Sequence, residues 1–108
     1  MIHHIAFPQD WAAALAAGEY RISTRGRTLD QEGYIHCAHA DQVAGVLQRF
    51  YADVDEPLLR LDIDPGRLIS RVVDEPPVPG MSELFPHVYG PIEVGAVVTV
   101  HPLAPPFA

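Results

Sequence analysis

The chain has 108 residues, of which 48% are hydrophobic and 19% charged, a composition typical of one folded domain rather than of a disordered segment. Seven basic residues, all of them arginine, stand against fourteen acidic ones and give a net charge of −7, which argues against a protein that binds the nucleic-acid backbone by charge. The absence of lysine excludes a Schiff-base lysine and a Walker-type lysine, and the single cysteine excludes an internal disulfide.

The first third of the chain predicts strands and one helix. Residues 2–7 form a short apolar stretch that stops at Pro8 and predicts a strand. Asp10 is a candidate N-cap for an alanine-rich helix over residues 11–17, which Gly18 would end. The next segments predict, in turn, a short strand, a polar loop and another short strand: residues 19–23, 24–33 and 34–37.

The middle of the chain predicts a helix and a hairpin. Apolar side chains recur at helical spacing over residues 43–51 and predict an amphipathic helix. Residues 58–63 alternate between apolar and charged side chains, which is typical of a half-buried strand. Turn residues 64–67 lead into a second apolar run at 68–73. The two runs together predict an antiparallel hairpin.

In the last third of the chain, the prediction of loops rests on the positions of proline. Residues 74–91 contain five prolines and predict a long loop. Residues 92–100 are β-branched and apolar and predict a central strand, and residues 102–108 predict a proline-rich surface tail. The whole predicts one α+β domain over residues 1–108, with a mainly antiparallel, split sheet of about six strands and two helices.

The ends of the chain bear on its location. No apolar run is long enough for a membrane span, and the first residues lack the features of a signal peptide. We therefore expect a soluble, cytoplasmic protein with no membrane or nucleic-acid partner.

Six histidines supply the chemistry that the sequence offers. His4 and His36 lie on predicted strands and, with Tyr34 and Tyr89, could line a cleft that the proline-rich loop carrying His87 closes. Aromatic rings stack on a planar ligand, and imidazole nitrogens bond ribose hydroxyls. Three arginines are candidates to meet a phosphate: Arg21, Arg25 and Arg27. The alternative is that the histidines are structural and the loop covers a sheet edge.

A metal site is a weaker alternative. It would use His36, Cys37 and His39, with His87 completing the set. Strand alternation sends His36 and Cys37 to opposite faces, and neither CxxC nor HExxH is present. We therefore predict no metal, and expect Cys37 to be a small core residue.

Two segments are specific enough to indicate a family. They are Glu32-Gly33-Tyr34-Ile35-His36-Cys37 and Phe85-Pro86-His87-x-Tyr89-Gly90-Pro91, and further matches extend from His4 to Ile92. In these residues the chain resembles, over nearly its whole length, the bacterial family called domain of unknown function 952. Thr28 keeps the hydroxyl of a serine usual in that family, whereas Ala38 lacks the hydroxyl of another.

The family's pattern is similar to the ADP-ribosyltransferase-like fold, particularly its RNA 2′-phosphotransferase branch. That resemblance implies NAD as a substrate, or an ADP-ribose-type ligand, and an enzyme of the transferase or glycosidase kind. Glu75 or Glu93 would take the place of the catalytic glutamate. The implied catalytic residues are His36, Glu75 and His87, and the implied ligand-binding residues are His4, Thr28, Tyr34 and Tyr89. The rival is a non-enzymatic binding or protein-interaction module, whose cleft would be filled by its own side chains.

Overall fold

The computed structural model describes all 108 residues, Met1–Ala108, as ten strands and three α-helices. The strands are β1 (Ile2–Ala6), β2 (Glu19–Tyr20), β3 (Ile22–Thr24), β4 (Arg27–Thr28), β5 (Ile35–His36), β6 (Leu58–Ile63), β7 (Arg71–Glu75), β8 (Phe85–Tyr89), β9 (Ile92–Glu93) and β10 (Val97–Leu103). The α-helices are α1 (Pro8–Ala17), α2 (Leu29–Glu32) and α3 (Val43–Phe50). None of them has the length and apolarity needed to cross a membrane.

Two three-stranded sheets carry the fold, one in the order β1-β6-β10 and the other in the order β5-β8-β7. Two smaller pairs, β2 with β9 and β3 with β4, complete the set, and every pairing is antiparallel. The main sheets meet where His3 and Ala38 exchange backbone hydrogen bonds of 2.8 and 2.7 Å. This arrangement confirms the α+β class with mainly antiparallel strands, but the predicted count of about six strands and two helices is wrong, because the predicted loops contain further short strands and a one-turn helix. It also places the end of β5 beside β1, the feature that matters for the site.

Strand β1 serves two cores because its side chains alternate between faces. Ile2 and Ala6 belong to the larger core, which also holds Ile35 of β5. Ile5 belongs to a smaller core that packs under α3 and includes Phe107. The predicted surface tail is thus wrong at both ends: β10 extends to Leu103, and Phe107 is buried. Burying a phenylalanine side chain contributes roughly 2 kcal/mol, which is why this proline-rich end is held against the fold.

Helix α1 begins earlier than predicted. Its N-cap is Phe7, which makes no side-chain capping bond, and Pro8 is its first residue. Proline fits this position because it needs no N–H there and its φ already suits a helix. Asp10 therefore lies within the first turn rather than at the cap. The predicted end is confirmed, since Gly18 adopts the left-handed conformation at φ 89°.

The predicted loop at 24–33 contains β4 and the third helix. Thr28 caps α2: its hydroxyl accepts from the Gln31 N–H at 3.3 Å, and the Gln31 side chain accepts from the Thr28 N–H at 2.9 Å. Such a capping box holds even one helical turn in place. Gly33, with φ 87°, ends the helix and turns the chain into β5.

The predicted hairpin between residues 58–63 and 68–73 is wrong. Strand β6 is the middle strand of its sheet, between β1 and β10, and β7 pairs with β8 instead. Leu61, Asp62 and Ile63 are all buried in succession, so β6 is covered on both faces. Alternation indicates a strand but does not identify its partner.

The predicted loop at 74–91 contains β8, the middle strand of the second sheet. Its proline is tolerated because Pro86 lies just beyond the end of β5, where its carbonyl accepts from the Cys37 N–H at 3.0 Å. The predicted central strand at 92–100 is likewise divided: β9 and β10 are separated by a turn at Val94–Ala96, and β10 is an edge strand.

Candidate functional site

A cleft of about 600 Å³ opens beside the junction of the two main sheets. Residues of β1, β5, α3 and the proline-rich segment before β8 surround it. Its apolar lining includes Val46, Phe50, Tyr51, Pro77, Val78, Met81 and Phe85. Its polar lining includes His3, His4, Thr24, Arg25, Glu32, Tyr34, His36 and Arg49. A cleft of this size, largely apolar with a few polar groups, is typical of a small-molecule site.

His4 uses both of its ring nitrogens inside the protein. Its Nδ1 lies 2.6 Å from the His36 carbonyl oxygen and its Nε2 lies 2.9 Å from the Tyr20 hydroxyl. Because a carbonyl only accepts, Nδ1 carries the proton and Nε2 accepts from Tyr20. Burial lowers the pKa of His4 to about 4, so the ring is neutral at pH 7. His4 therefore fixes the backbone at His36 and has no nitrogen left for a ligand.

His36 faces the cleft together with Glu32. Its Nε2 lies 3.3 Å from Glu32 Oε1, while Glu32 Oε2 accepts from Arg27 at 2.9 and 3.1 Å. These hydrogen bonds from His36 and Arg27 lower the pKa of Glu32, and burial lowers the pKa of His36 although Glu32 opposes that shift. At pH 7 the pair is a carboxylate and a neutral imidazole. Since Nε2 donates to Glu32, the lone pair of His36 is on Nδ1.

Tyr34 stands between the cleft and a buried histidine. The Ser23 hydroxyl donates to its carbonyl, which fixes the backbone at the start of β5. The Tyr34 ring stacks on His87 with centroids 4.1 Å apart and lies edge-on to His36 at 4.8 Å. One aromatic ring thus contacts both histidines.

Glu75 holds His87 and Tyr89 from behind this stack. Its Oε1 accepts from His87 Nδ1 at 2.8 Å and from the Tyr89 hydroxyl. Both hydrogen bonds lower the pKa of Glu75. The other ring nitrogen of His87, Nε2, is buried without a hydrogen-bond partner. Such an orphaned polar atom is rare in a protein interior.

The structure divides the predicted site residues into three groups. His4, Tyr34 and His36 line the cleft. His87 touches Tyr34 and His36 through its ring, but neither it nor Glu75 and Tyr89 are among the lining residues. Thr28 is exposed and serves as the cap of α2. Glu93, the other candidate carboxylate, lies in β9, away from the cleft.

The three arginines predicted to meet a phosphate all bind carboxylates of the chain. Arg21 pairs with Glu19 and Asp30, Arg25 with Asp53, and Arg27 with Glu32. Of these only Arg25 lines the cleft. The sequence reasoning missed Glu32 and Arg49, which line it as well. Two features of the sequence could have indicated them: Glu32 directly precedes the Gly-Tyr-Ile-His segment, and Arg49 lies beside the apolar stripe of α3.

The histidine and cysteine side chains named for a metal site do not gather. His39 Nε2 lies 2.7 Å from Asp74, and Cys37 is buried in the larger core. Burial raises the pKa of the Cys37 thiol. No three histidine, cysteine, aspartate or glutamate side chains in the structure are placed to share a metal ion.

Comparison with known proteins identifies the family. Residues 5–100 match the family model described as protein of unknown function, DUF952. The chain belongs to the DUF952 family. This confirms the assignment that the two sequence segments indicated, and no curated protein matches the chain.

This DUF952 chain is also similar to a solved structure. The crystal structure of protein CC0527 from Caulobacter crescentus matches with a TM-score of 0.78 and 24% identity, over 94% of this chain and 84% of that one. A double methionine mutant of CC0527 matches with a TM-score of 0.69 and 21% identity over the same shares. At this level of identity the likeness shows a shared fold.

Proposed function

We propose that the cleft beside the sheet junction binds NAD or a related ADP-ribose-type ligand. The observation that carries this proposal is the open space of about 600 Å³, because the rival reading of a degenerate scaffold requires a cleft filled by its own side chains. The resemblance to the ADP-ribosyltransferase-like fold adds support, since three of the residues that it implies, His4, Tyr34 and His36, line the cleft. The ligand is a small nucleotide-like molecule, and the acidic surface disfavours a nucleic acid.

The lining of the cleft suits the parts of such a ligand. Tyr34 and His36 supply aromatic rings, and His36 also has the Nδ1 lone pair; these groups suit a planar ring and a ribose hydroxyl. Val46, Phe50 and Met81 supply apolar surface. His36 bonds to a carboxylate of the cleft rather than to the backbone, which orients its ring toward a ligand instead of tying it into the core.

The same cleft has the groups needed to break a glycosidic bond, and we extend the proposal to that reaction. Glu32 is the one carboxylate that lines the cleft, and it is ionised at pH 7. When the bond from ribose to nicotinamide breaks, the electron pair leaves with nicotinamide and positive charge develops on the ribosyl group. Glu32 would stabilise that charge, and His36 Nδ1 would accept the proton lost by the attacking water or acceptor. Glu75 would position His87 behind Tyr34.

Titration calorimetry with NAD, ADP-ribose and adenosine tests the binding. We expect His36→Ala to weaken ADP-ribose by about tenfold, the size of one hydrogen bond to a buried polar group plus lost contact. His101→Ala is the matched control, because His101 is half exposed on β10 and lies outside the cleft. No binding of any of the three ligands at millimolar concentration would overturn the proposal.

Release of nicotinamide from NAD tests the reaction separately. We expect a Glu32→Gln variant to bind ADP-ribose yet release nicotinamide at least about a hundredfold more slowly than the wild type, because it lacks the charge that stabilises the ribosyl cation. Binding without any release in the wild type would reject the reaction and leave a non-enzymatic binding module.

A further inference from the structure

Two arginines line the cleft, and they differ in what already holds them. Arg25 donates to both carboxylate oxygens of Asp53 at 2.7 and 2.9 Å and to the Phe50 carbonyl at 3.0 Å. Arg49, in the last turn of α3, has Glu83 as its nearest carboxylate, with 3.9 Å from Nη1 to Oε1. That distance is too long for a hydrogen bond. Of the two arginines that line the cleft, Arg49 is therefore the one whose guanidinium N–H groups make no hydrogen bond within the protein.

Glu83 is held in front of Arg49 by its other oxygen. Gln42 Nε2 donates to Glu83 Oε2 at 3.2 Å and to the Leu84 carbonyl at 2.8 Å. Gln42 is buried, whereas both Arg49 and Glu83 are about half exposed. A buried amide thus fixes a carboxylate near a guanidinium without bringing the two into hydrogen-bond contact.

We propose that Arg49 is the anion subsite of the cleft, that it binds the pyrophosphate of a nucleoside diphosphate-type ligand, and that Glu83 competes with that pyrophosphate in the free protein. This inference rests on the proposed function and adds to it a specificity residue and an internal competitor. A guanidinium binds phosphate oxygens through two parallel hydrogen bonds. At Arg49 the ligand would form such bonds without breaking any made by the protein, whereas at Arg25 it would have to displace Asp53.

None of the other five arginines lines the cleft. Arg27 is engaged by Glu32, and Arg21 lies at a separate shallow pocket beside α1. Arg60 donates to Asp62 in the first sheet. The negative charge of Glu83 has a defined effect in this scheme: it opposes a pyrophosphate at Arg49 and leaves an uncharged nucleoside unaffected, so it lowers the affinity for charged ligands alone.

The test compares a charged ligand with its uncharged part. ADP-ribose and adenosine are titrated into the wild type, Arg49→Gln and Glu83→Gln, with Arg67→Gln as the control because Arg67 is exposed and outside the cleft. We expect Arg49→Gln to weaken ADP-ribose by about tenfold and to leave adenosine unchanged, since charge-assisted bonds are the stronger kind. Glu83→Gln should strengthen ADP-ribose by roughly threefold at low salt, and this gain should shrink as salt is added.

The outcomes separate this inference from the proposed function. If Arg49→Gln binds ADP-ribose as well as the wild type does, or loses adenosine equally, Arg49 is not the anion subsite although the cleft still binds. If Arg49→Gln does not fold, Glu83→Gln decides, and an unchanged affinity for ADP-ribose overturns the competition. If neither ligand binds the wild type or Glu83→Gln, both proposals are wrong.

Discussion

His36 and His87 lie directly opposite each other on paired strands, and each is bound to a glutamate, yet their surroundings differ. The His36 side chain is 28% exposed and borders the cleft, whereas the His87 side chain is 1% exposed and is covered by Tyr34. The two imidazoles thus differ in access, although the carboxylates bound to them are 26% and 31% exposed. Under the proposed function the pair with the exposed histidine, His36 with Glu32 (the open pair), would meet a ligand. The pair with the covered histidine, His87 with Glu75 (the closed pair), would shape the wall on which the ligand rests.

The comparison shows that solvent access, rather than residue type, distinguishes a histidine that can meet a ligand from a histidine that only stabilises the fold. His4 belongs with the closed histidine, because both of its nitrogens are satisfied within the protein. Substitutions at the closed positions should lower the free energy of unfolding, while substitutions at the open pair should chiefly alter ligand binding and titration.

The largest effect should come from truncating the closed histidine. We expect His87→Ala to lower the free energy of unfolding by about 4 kcal/mol, because a buried, stacked aromatic ring is lost and a cavity remains. His36→Ala should lower it by less than about 1 kcal/mol. Urea denaturation of both variants measures the difference, and equal losses would show that exposure does not distinguish the two histidines.

A pH dependence should come next in size. The unfolded chain protonates His4 near pH 6.5, but the folded protein does so only near pH 4 because burial opposes the charge. The stability contributed by neutral His4 is therefore full above pH 6.5, and about 3 kcal/mol of it is lost as the pH falls to 4. Denaturation at about pH 7, 6 and 5 measures the slope above the carboxylate range.

The control for this slope is His4→Asn, which cannot titrate but can still donate to the His36 carbonyl. Its stability should vary less between pH 7 and 5 than that of the wild type. A wild-type stability that is flat across this interval would show that His4 is not held neutral by burial.

A smaller loss should follow from removing the donor to His4. In Tyr20→Phe the Nε2 of His4 keeps its lone pair but loses its partner, and an unsatisfied buried acceptor costs about 1–2 kcal/mol. A double-mutant cycle with His4→Asn measures the coupling between the two side chains. Additive losses would mean that the hydrogen bond between them contributes nothing.

The smallest effect concerns titration at the open pair. Glu32 favours the protonated form of His36, so Glu32→Gln should lower the pKa of His36 further while leaving stability nearly unchanged. Histidine ring shifts followed by NMR against pH would report it. Glu75→Gln is the matched control, since Glu75 bonds to the other histidine. A His36 pKa that moves equally in both variants would contradict the separation of the two pairs.

The elements that the sequence predicts well are those defined by local pattern. Strand β1, helix α3 and strand β6 occupy nearly their predicted residues, since periodic burial on one element is visible in its own sequence. Pairing is different, because it joins residues far apart. Nothing local in residues 68–73 shows that this run leaves β6 and joins a proline-containing strand.

The sequence predicted which residue types would form the candidate site, but not which of their side-chain atoms a ligand could reach. The sequence placed His4, Tyr34 and His36 together, and in the structure all three line the cleft. It did not show that His4 has no free nitrogen, nor that Glu75 lies behind Tyr34 while Glu32 lies at the cleft. Hydrogen-bond partners and exposure depend on how β1, β5 and β8 pack beside one another. The predicted secondary structure does not contain that arrangement.

Under the proposed function, the backbone bridge between His3 and Ala38 would report whether a ligand occupies the cleft. Its two N–H groups join the sheets beside the cleft and donate at 2.8 and 2.7 Å, and both residues belong to the cleft lining. A ligand that contacts both sheets would restrain their separation at this point. Hydrogen exchange at these two amides should therefore slow on binding, which gives a label-free signal for screening ligands without any assay of turnover.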